Sequence, residues 1–141
     1  MFPCGDSREP GDHANQSFRV AVSVAGVVNL VSLYGQHEFS NRDIGLWEYR
    51  VRSINNVAHY RRASPVFFVE QVETPLLILH GANDVRSPTL QAWEMYRALR
   101  DAGKEVELIL YPGAGHSIRE PGQFRSVLWN WLGWADGAVG R

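Results

Sequence analysis

Short apolar runs alternate with segments of helical periodicity along this chain. The runs at 18–26 (FRVAVSVAG), 74–81 (TPLLILHG) and 106–111 (VELILY) are rich in branched residues, which is typical of strands covered on both faces. None of them is long enough to span a membrane. Helical segments are predicted between and after them, so the order is strand, helix, strand, helix, strand, helix. This order predicts an α/β fold with three mainly parallel strands and packed helices.

The segments between the first two strands are expected to be helical in part. Residues 27–39 are predicted to form a loop or a short helix, and Ser64–Pro65 is expected to open one or two helical turns at 66–69. Residues 41–59 are predicted to form a longer helix because apolar residues recur there at intervals of three and four: Ile44, Trp47, Val51, Ile54 and Val57.

The second half of the chain carries two clearer helices. Ser87 is expected to cap the first of them, with Pro88 at its first position and Gly103 at its end. Its predicted inner stripe is Ala92, Met95, Tyr96 and Leu99. The last helix is predicted from about 121 to 135, with Trp131 in the core and Trp134 covering the end of the sheet. Its predicted inner face is Phe124, Val127, Leu128, Trp131 and Leu132.

Length and composition indicate one ordinary globular domain. The chain has 141 residues, of which 45% are hydrophobic and 21% charged. We expect a loose N-terminal tail at 1–17, a partial α/β domain at 18–135 and a frayed end at 136–141. No apolar leader is seen at the start, so the cytoplasm is the expected compartment.

Charge and cysteine content exclude several classes of protein. The net charge is -1, which argues against a nucleic-acid or anionic-membrane surface. The chain has a single cysteine, Cys4, so no internal disulfide can form. No metal-ligand spacing links the histidines, and no metal or other cofactor is expected.

Two strand ends carry candidate chemistry. Asp84 follows the second predicted strand, and His116 follows the third within a glycine-rich turn, PGAGHS. Parallel strands place their carboxyl ends at one edge of the sheet, about 4.8 Å apart, so an acid and an imidazole there can meet. A carboxylate bound to one ring nitrogen leaves the other nitrogen able to act as a general base. His80, at the end of the second strand, is expected to be structural.

These motifs resemble those of a known family. TPLLILHGANDVRSP, VELILYPGAGH and a closing tryptophan-rich helix are similar to the C-terminal half of the catalytic domain of the prolyl oligopeptidase family, which has the α/β-hydrolase fold. The 32-residue separation of Asp84 and His116 matches the family's spacing. The resemblance implies a serine peptidase in which Asp84 is the triad acid and His116 the triad base. Asn29 and Ser117 depart from the residues frequent in the family at those positions.

The nucleophile of such a triad is not found in this sequence. No G-x-S-x-G occurs among the 141 residues, and the nearest approach is GDSRE at 5–9, which lacks room for a preceding strand. Ser7 and Cys4 are therefore both poor candidates for a nucleophile. We expect a chain that corresponds to a fragment of a hydrolase, or to a homologue that has lost catalysis.

Two alternatives to the peptidase remain open at this point. An esterase on the same fold would use the same acid and base, with a small acyl substrate in place of a peptide. A non-catalytic module would instead associate through the open edge of the strand at 18–26, which we expect to mediate self-association. A hydrogen bond between Asp84 and His116 favours an enzyme, whereas a buried, separated pair favours the module.

Overall fold

The computed structural model describes residues 18–36 and 56–139. The tail predicted at 1–17, with Cys4 and Ser7, and most of the helix predicted at 41–59 lie outside these residues. The strands, helices and contacts given below all lie within these two ranges.

The described strands form one parallel sheet at the positions that the apolar runs predict. β1 (Ala21–Val24), β2 (Leu76–Gly81) and β3 (Val106–Tyr111) lie in the order β1-β2-β3, with β2 in the centre. All six residues of β2 are buried. The prediction of an α/β fold with three parallel strands is confirmed.

Helical segments connect and cover these strands. Asn29 caps α1 (Leu30–Leu33) by accepting from the backbone amides of Val31 and Ser32. α2 (Val57–Arg62) follows and leads into a 3₁₀ segment (Pro65–Gln71) that opens at Ser64–Pro65, as predicted. α3 (Thr89–Asp101) joins β2 to β3, and α4 (Pro121–Val139) closes the described chain, ending four residues later than predicted.

The first face of the sheet is covered by α3 and the 3₁₀ segment. Leu76 and Ile78 of β2 point to this face and contact the buried stripe of α3, which is Ala92, Met95 and Leu99. Tyr96 packs at the margin of the same cluster. The predicted inner stripe of this helix is confirmed, because three of its four residues are buried and Tyr96 packs beside them.

α4 covers the second face with a different set of residues from the one predicted. Leu77 and Leu79 of β2 pack there with Val127 and Trp134, while Asn130 donates a hydrogen bond of 3.2 Å to the hydroxyl of Tyr111. The predicted inner residues other than Val127 are largely exposed: Phe124 51%, Leu128 39%, Trp131 52% and Leu132 52%. The prediction that Trp131 is core is wrong. Apolar side chains lie almost all round α4, so their spacing does not select one face.

The two ends of α3 show one prediction confirmed and one corrected. Gly103 has φ +70, and the Lys104 amide bonds to the Leu99 carbonyl at 2.9 Å, which closes the helix in a Schellman motif. At the other end the helix begins at Thr89, and Ser87 does not cap it. The Ser87 hydroxyl instead donates a tertiary hydrogen bond of 3.2 Å to the Gly26 carbonyl.

None of the helices in residues 18–36 and 56–139 has the length and apolar character that a membrane crossing requires.

Candidate active site

The loops that follow β2 and β3 meet at the carboxyl edge of the sheet. The Ala82 amide donates to the Tyr111 carbonyl at 2.9 Å, and the Asn83 amide donates to the Ala114 carbonyl at 2.8 Å. These bonds extend the pairing of the two strands into their loops. The loops therefore hold a fixed position relative to each other before any side chain is considered.

Glycine at position 81 permits this close approach. A Cβ atom on Gly81 would lie 2.2 Å from the Gly115 carbonyl oxygen and 2.5 Å from that of Ala114, and both are backbone atoms. Gly113, in the second loop, has φ +74, a conformation that side chains of L-residues rarely adopt. The two glycines therefore bring the Asp84 loop and the His116 loop into contact.

Asp84 and His116 are bonded to each other across these loops. The Nδ1 atom of His116 lies 2.9 Å from Oδ2 of Asp84. Asp84 is only 4% exposed, and its other oxygen, Oδ1, accepts from the backbone amides of Arg86 and Ser87 at 2.9 Å each. The carboxylate is thus fixed by its own loop and aimed at the imidazole.

This contact determines what the imidazole can do. A carboxylate oxygen accepts hydrogen bonds, so Nδ1 of His116 carries the proton. In the neutral ring Nε2 is then left unprotonated, and no residue in the described ranges hydrogen-bonds to it. The side chain is 39% exposed. His116 is therefore a partly exposed imidazole whose orientation is fixed by a buried carboxylate, an arrangement that can support general-base chemistry at Nε2.

A second histidine, His80, contacts the same carboxylate from the interior of the fold, and sequence reasoning did not identify this contact. The side chain of His80 is fully buried, with Nε2 at 2.7 Å from the Ser87 carbonyl and 3.3 Å from Oδ2 of Asp84. Burial is the main influence on its pKa and lowers it, while the Ser87 hydrogen bond and the charge of Asp84 act in the opposite direction. The position of His80 four residues before Asp84, at the end of a buried strand, was the available signal.

Gln91 on the first turn of α3 is also buried and was also missed. Its Oε1 accepts from the amides of Val28 and Asn29 at 3.1 and 2.9 Å, and its Nε2 donates to the Ser32 hydroxyl at 2.9 Å. These bonds tie the loop after β1 to the helix that follows Asp84. Because a glutamine on a helix is ordinarily solvated, its spacing gave no indication of this role.

Within the described residues, no three His, Cys, Asp or Glu side chains are grouped so that they could hold a metal ion. The arrangement at this edge is suited to proton transfer at Nε2 of His116, with the Asp84 carboxylate able to stabilise the imidazolium.

Comparison with known proteins places this geometry in a family. The prolyl oligopeptidase family matches residues 11–141, which is nearly the whole chain. This chain belongs to the prolyl oligopeptidase family. The resemblance seen in the strand-end motifs is therefore confirmed, and the sheet is part of an α/β-hydrolase fold.

Individual proteins show how far the likeness extends. The chain is 32% identical to dipeptidyl-peptidase 5 of Porphyromonas endodontalis over 131 residues, which is 88% of this chain and 18% of that protein. It is 30% identical over 112 residues to the esterase LipQ of Mycobacterium tuberculosis, covering 78% of this chain and 27% of that protein. The solved acylaminoacyl peptidase of Pyrococcus horikoshii is 31% identical, with a TM-score of 0.62, over 71% of this chain and 16% of that structure.

The chain thus spans less than a fifth of the length of the dipeptidyl peptidase and of the solved acylaminoacyl peptidase.

Proposed function

We propose that Asp84 and His116 are the acid and the base of a serine peptidase of the prolyl oligopeptidase type. The observation that carries this proposal is the 2.9 Å contact between Oδ2 of Asp84 and Nδ1 of His116, at the carboxyl edge of a parallel sheet. The contact favours an enzyme over the non-catalytic module, since a module that binds through a sheet edge has no need of an oriented histidine.

The proposed reaction follows from the protonation states of the pair. A serine hydroxyl attacks the carbonyl carbon of a peptide, and Nε2 of His116 takes the hydroxyl proton. The Asp84 carboxylate stabilises the imidazolium that forms. The imidazolium then gives the proton to the departing amine, and an acyl-enzyme remains. Water attacks the acyl-enzyme with His116 again as the base, which releases the acid and restores the serine.

The serine in this proposal comes from outside the 141 residues. The sequence contains no G-x-S-x-G, and its relatives extend far beyond the region that the chain matches. The first test is intact-mass analysis of the folded chain after treatment with a fluorophosphonate. We expect no adduct. An adduct that disappears in His116→Ala would place the nucleophile within this chain and overturn this part of the proposal.

The roles of Asp84 and His116 need a test in which a serine is supplied. The part of this chain that aligns with dipeptidyl-peptidase 5 from Porphyromonas endodontalis can replace the corresponding segment of that protein. We expect the chimera to react with the fluorophosphonate and to lose this reaction on His116→Ala. Loss in Asp84→Asn should be large too, because the wrong tautomer of the histidine is then favoured. The control is His59→Ala, which lies on α2 away from the sheet edge. A folded chimera that reacts equally well without His116 would contradict the assignment.

An esterase is the second candidate, and the likeness to the esterase LipQ favours it. The acid and the base do not select between an amide and an ester, because the same proton transfers serve both. Comparing the hydrolysis of matched peptide anilides and carboxylic esters by the whole protein separates the two. Turnover of the ester alone would support the esterase.

A further inference from the structure

His80 occupies a position at the site that neither packing nor strand formation requires. It lies at the end of β2, and its side chain is fully buried beneath the carboxylate of Asp84. An apolar residue would satisfy the packing of this strand, as Leu77 and Leu79 do nearby. A buried imidazole costs desolvation, so its hydrogen bonds are informative.

The hydrogen bonds of His80 identify where its proton is. Nε2 lies 2.7 Å from the carbonyl oxygen of Ser87, and a carbonyl oxygen can only accept. Nε2 therefore carries the proton. Oδ2 of Asp84 lies 3.3 Å from the same nitrogen, an electrostatic contact beside the hydrogen bond to Ser87.

The charge on His80 is set by its surroundings. Burial lowers the pKa of His80, which favours the neutral ring. Two titratable groups lie nearby: the charge of Asp84 raises this pKa, and that of His116 lowers it. Nδ1 is then unprotonated, and it has no hydrogen-bond partner among the described residues. The N–H dipole of a neutral ring attracts the Asp84 carboxylate without cancelling its charge.

We propose that His80 is a positioning residue for Asp84: its Nε2–H, hydrogen-bonded to Ser87, lies beside Oδ2 and holds this oxygen electrostatically in the orientation that accepts the hydrogen bond of His116. The inference rests on the proposed function for its catalytic meaning. The carboxylate then has a support on each side, with two loop amides on Oδ1 and the buried histidine on Oδ2. Without His80, the loop amides and the bond to His116 itself are all that oppose a rotation of the carboxylate.

The test uses the full chain and reads the state of His116 directly. Nitrogen-15 NMR of the imidazoles reports which ring nitrogen of His116 carries the proton. We expect the Nδ1–H form to dominate in the natural chain. His80→Gln keeps a donor near the position of Nε2 and should retain this form. His80→Met keeps the volume without the donor and should lose it, with a mixture of tautomers at His116. His59→Gln is the matched control and should change nothing at His116.

The outcomes separate this inference from the proposed function. A folded His80→Met chain in which His116 keeps its tautomer would overturn the positioning role and leave the acid–base assignment intact. A chimera that is folded but independent of His116 would overturn the catalytic roles, while the tautomer change could still be observed.

A second measurement applies if His80→Met does not fold. In the natural chain the Nε2–H resonance of His80 should move on Asp84→Asn, because a neutral amide acts on the nearby N–H with a weaker field than a carboxylate does. A resonance that does not move shows that the N–H is not influenced by the carboxylate, and the inference then fails.

Discussion

The two faces of the sheet are buried equally well at β2 but are covered by very different helices. Leu76 and Ile78 on the first face are 2% and 3% exposed, and Leu77 and Leu79 on the second are 1% and 0% exposed. On the first face α3 contributes residues that are themselves fully buried. On the second face α4 contributes Val127 and Trp134 but leaves a broad apolar surface outside. Burial of a strand therefore does not require that the covering helix be amphipathic.

The largest expected effect is on the free energy of unfolding, which should fall more for a substitution on α3 than for one on α4. Leu99→Ala on α3 removes a side chain that is 0% exposed and should lower the free energy of unfolding by about 2–5 kcal/mol. Trp131→Ala on α4 removes a larger side chain that is 52% exposed and should cost under about 1 kcal/mol. Chemical denaturation of both variants measures the difference. Equal losses would mean that the outer surface of α4 is part of the core.

A pair of glycine substitutions sharpens the comparison at the sheet edge. Gly81→Ala places a methyl group against two backbone carbonyls and should destabilise the fold by about 1–3 kcal/mol. It should also remove the hydrogen bond between His116 and Asp84, which NMR of the His116 ring would detect. Gly133→Ala on α4 is the control, because no atom lies within 4 Å of the new methyl group. This change should stabilise the helix by about 0.5–1 kcal/mol. An intact ring signal in Gly81→Ala contradicts the tight approach of the loops.

Burial of His80 at the end of β2 should make the free energy of unfolding depend on pH. Because burial lowers the pKa of His80 below its ordinary 6.5, the unfolded chain binds this proton at a higher pH than the folded chain does. The contribution to stability is fully present above about pH 6.5 and is lost as the pH falls from there toward the folded pKa. His80→Gln removes this titrating group, so the natural chain and the variant should differ in the slope of the free energy of unfolding against pH. Parallel slopes from about pH 7.5 to about pH 5.5 would contradict this prediction.

The smallest expected effect concerns the outer edge of β1, which remains a predicted site of self-association. The amides of Ala21 and Ala25 bond to the backbone of Pro75 and Leu79, so the alternate residue Val22 directs its N–H away from β2. We expect two copies of the chain to associate here, since an open strand edge can pair with another.

Sedimentation velocity over a range of concentrations measures this association. Val24→Lys adds a charge to the edge at a side chain that is 52% exposed and should weaken it. Leu90→Lys, on α3 at 59% exposure, is the matched control and should not. A natural chain that is monomeric at every concentration would rule out the edge as an association site.

Most of the fold could be predicted because the signals are local. The apolar runs placed all three described strands, and β3 has the predicted bounds of 106 and 111. The stripe of α3 and the glycine at its end were also correct. The errors arise where the local signal is ambiguous. α4 is apolar on several sides, and Ser87 has the composition of a cap but bonds to Gly26 across the fold.

The candidate site was predictable in part. Parallel strands forced Asp84 and His116 to the same edge, so their meeting was a consequence of the order of elements. The contribution of His80 was signalled only by its position four residues before Asp84 at the end of a buried strand. The contribution of Gln91 was not predictable, because its role depends on backbone amides contributed by the distant loop after β1.

The sequence by itself determined the strands, their parallel arrangement and the strand ends from which the acid and the base project. These features depend on apolar periodicity and on glycine and proline, which act over a few residues. Only the tertiary structure decided which face of α4 is buried and which oxygen of Asp84 accepts the hydrogen bond of His116. Those outcomes are set by distances between segments far apart in the chain, where tenths of an ångström separate a hydrogen bond from a clash.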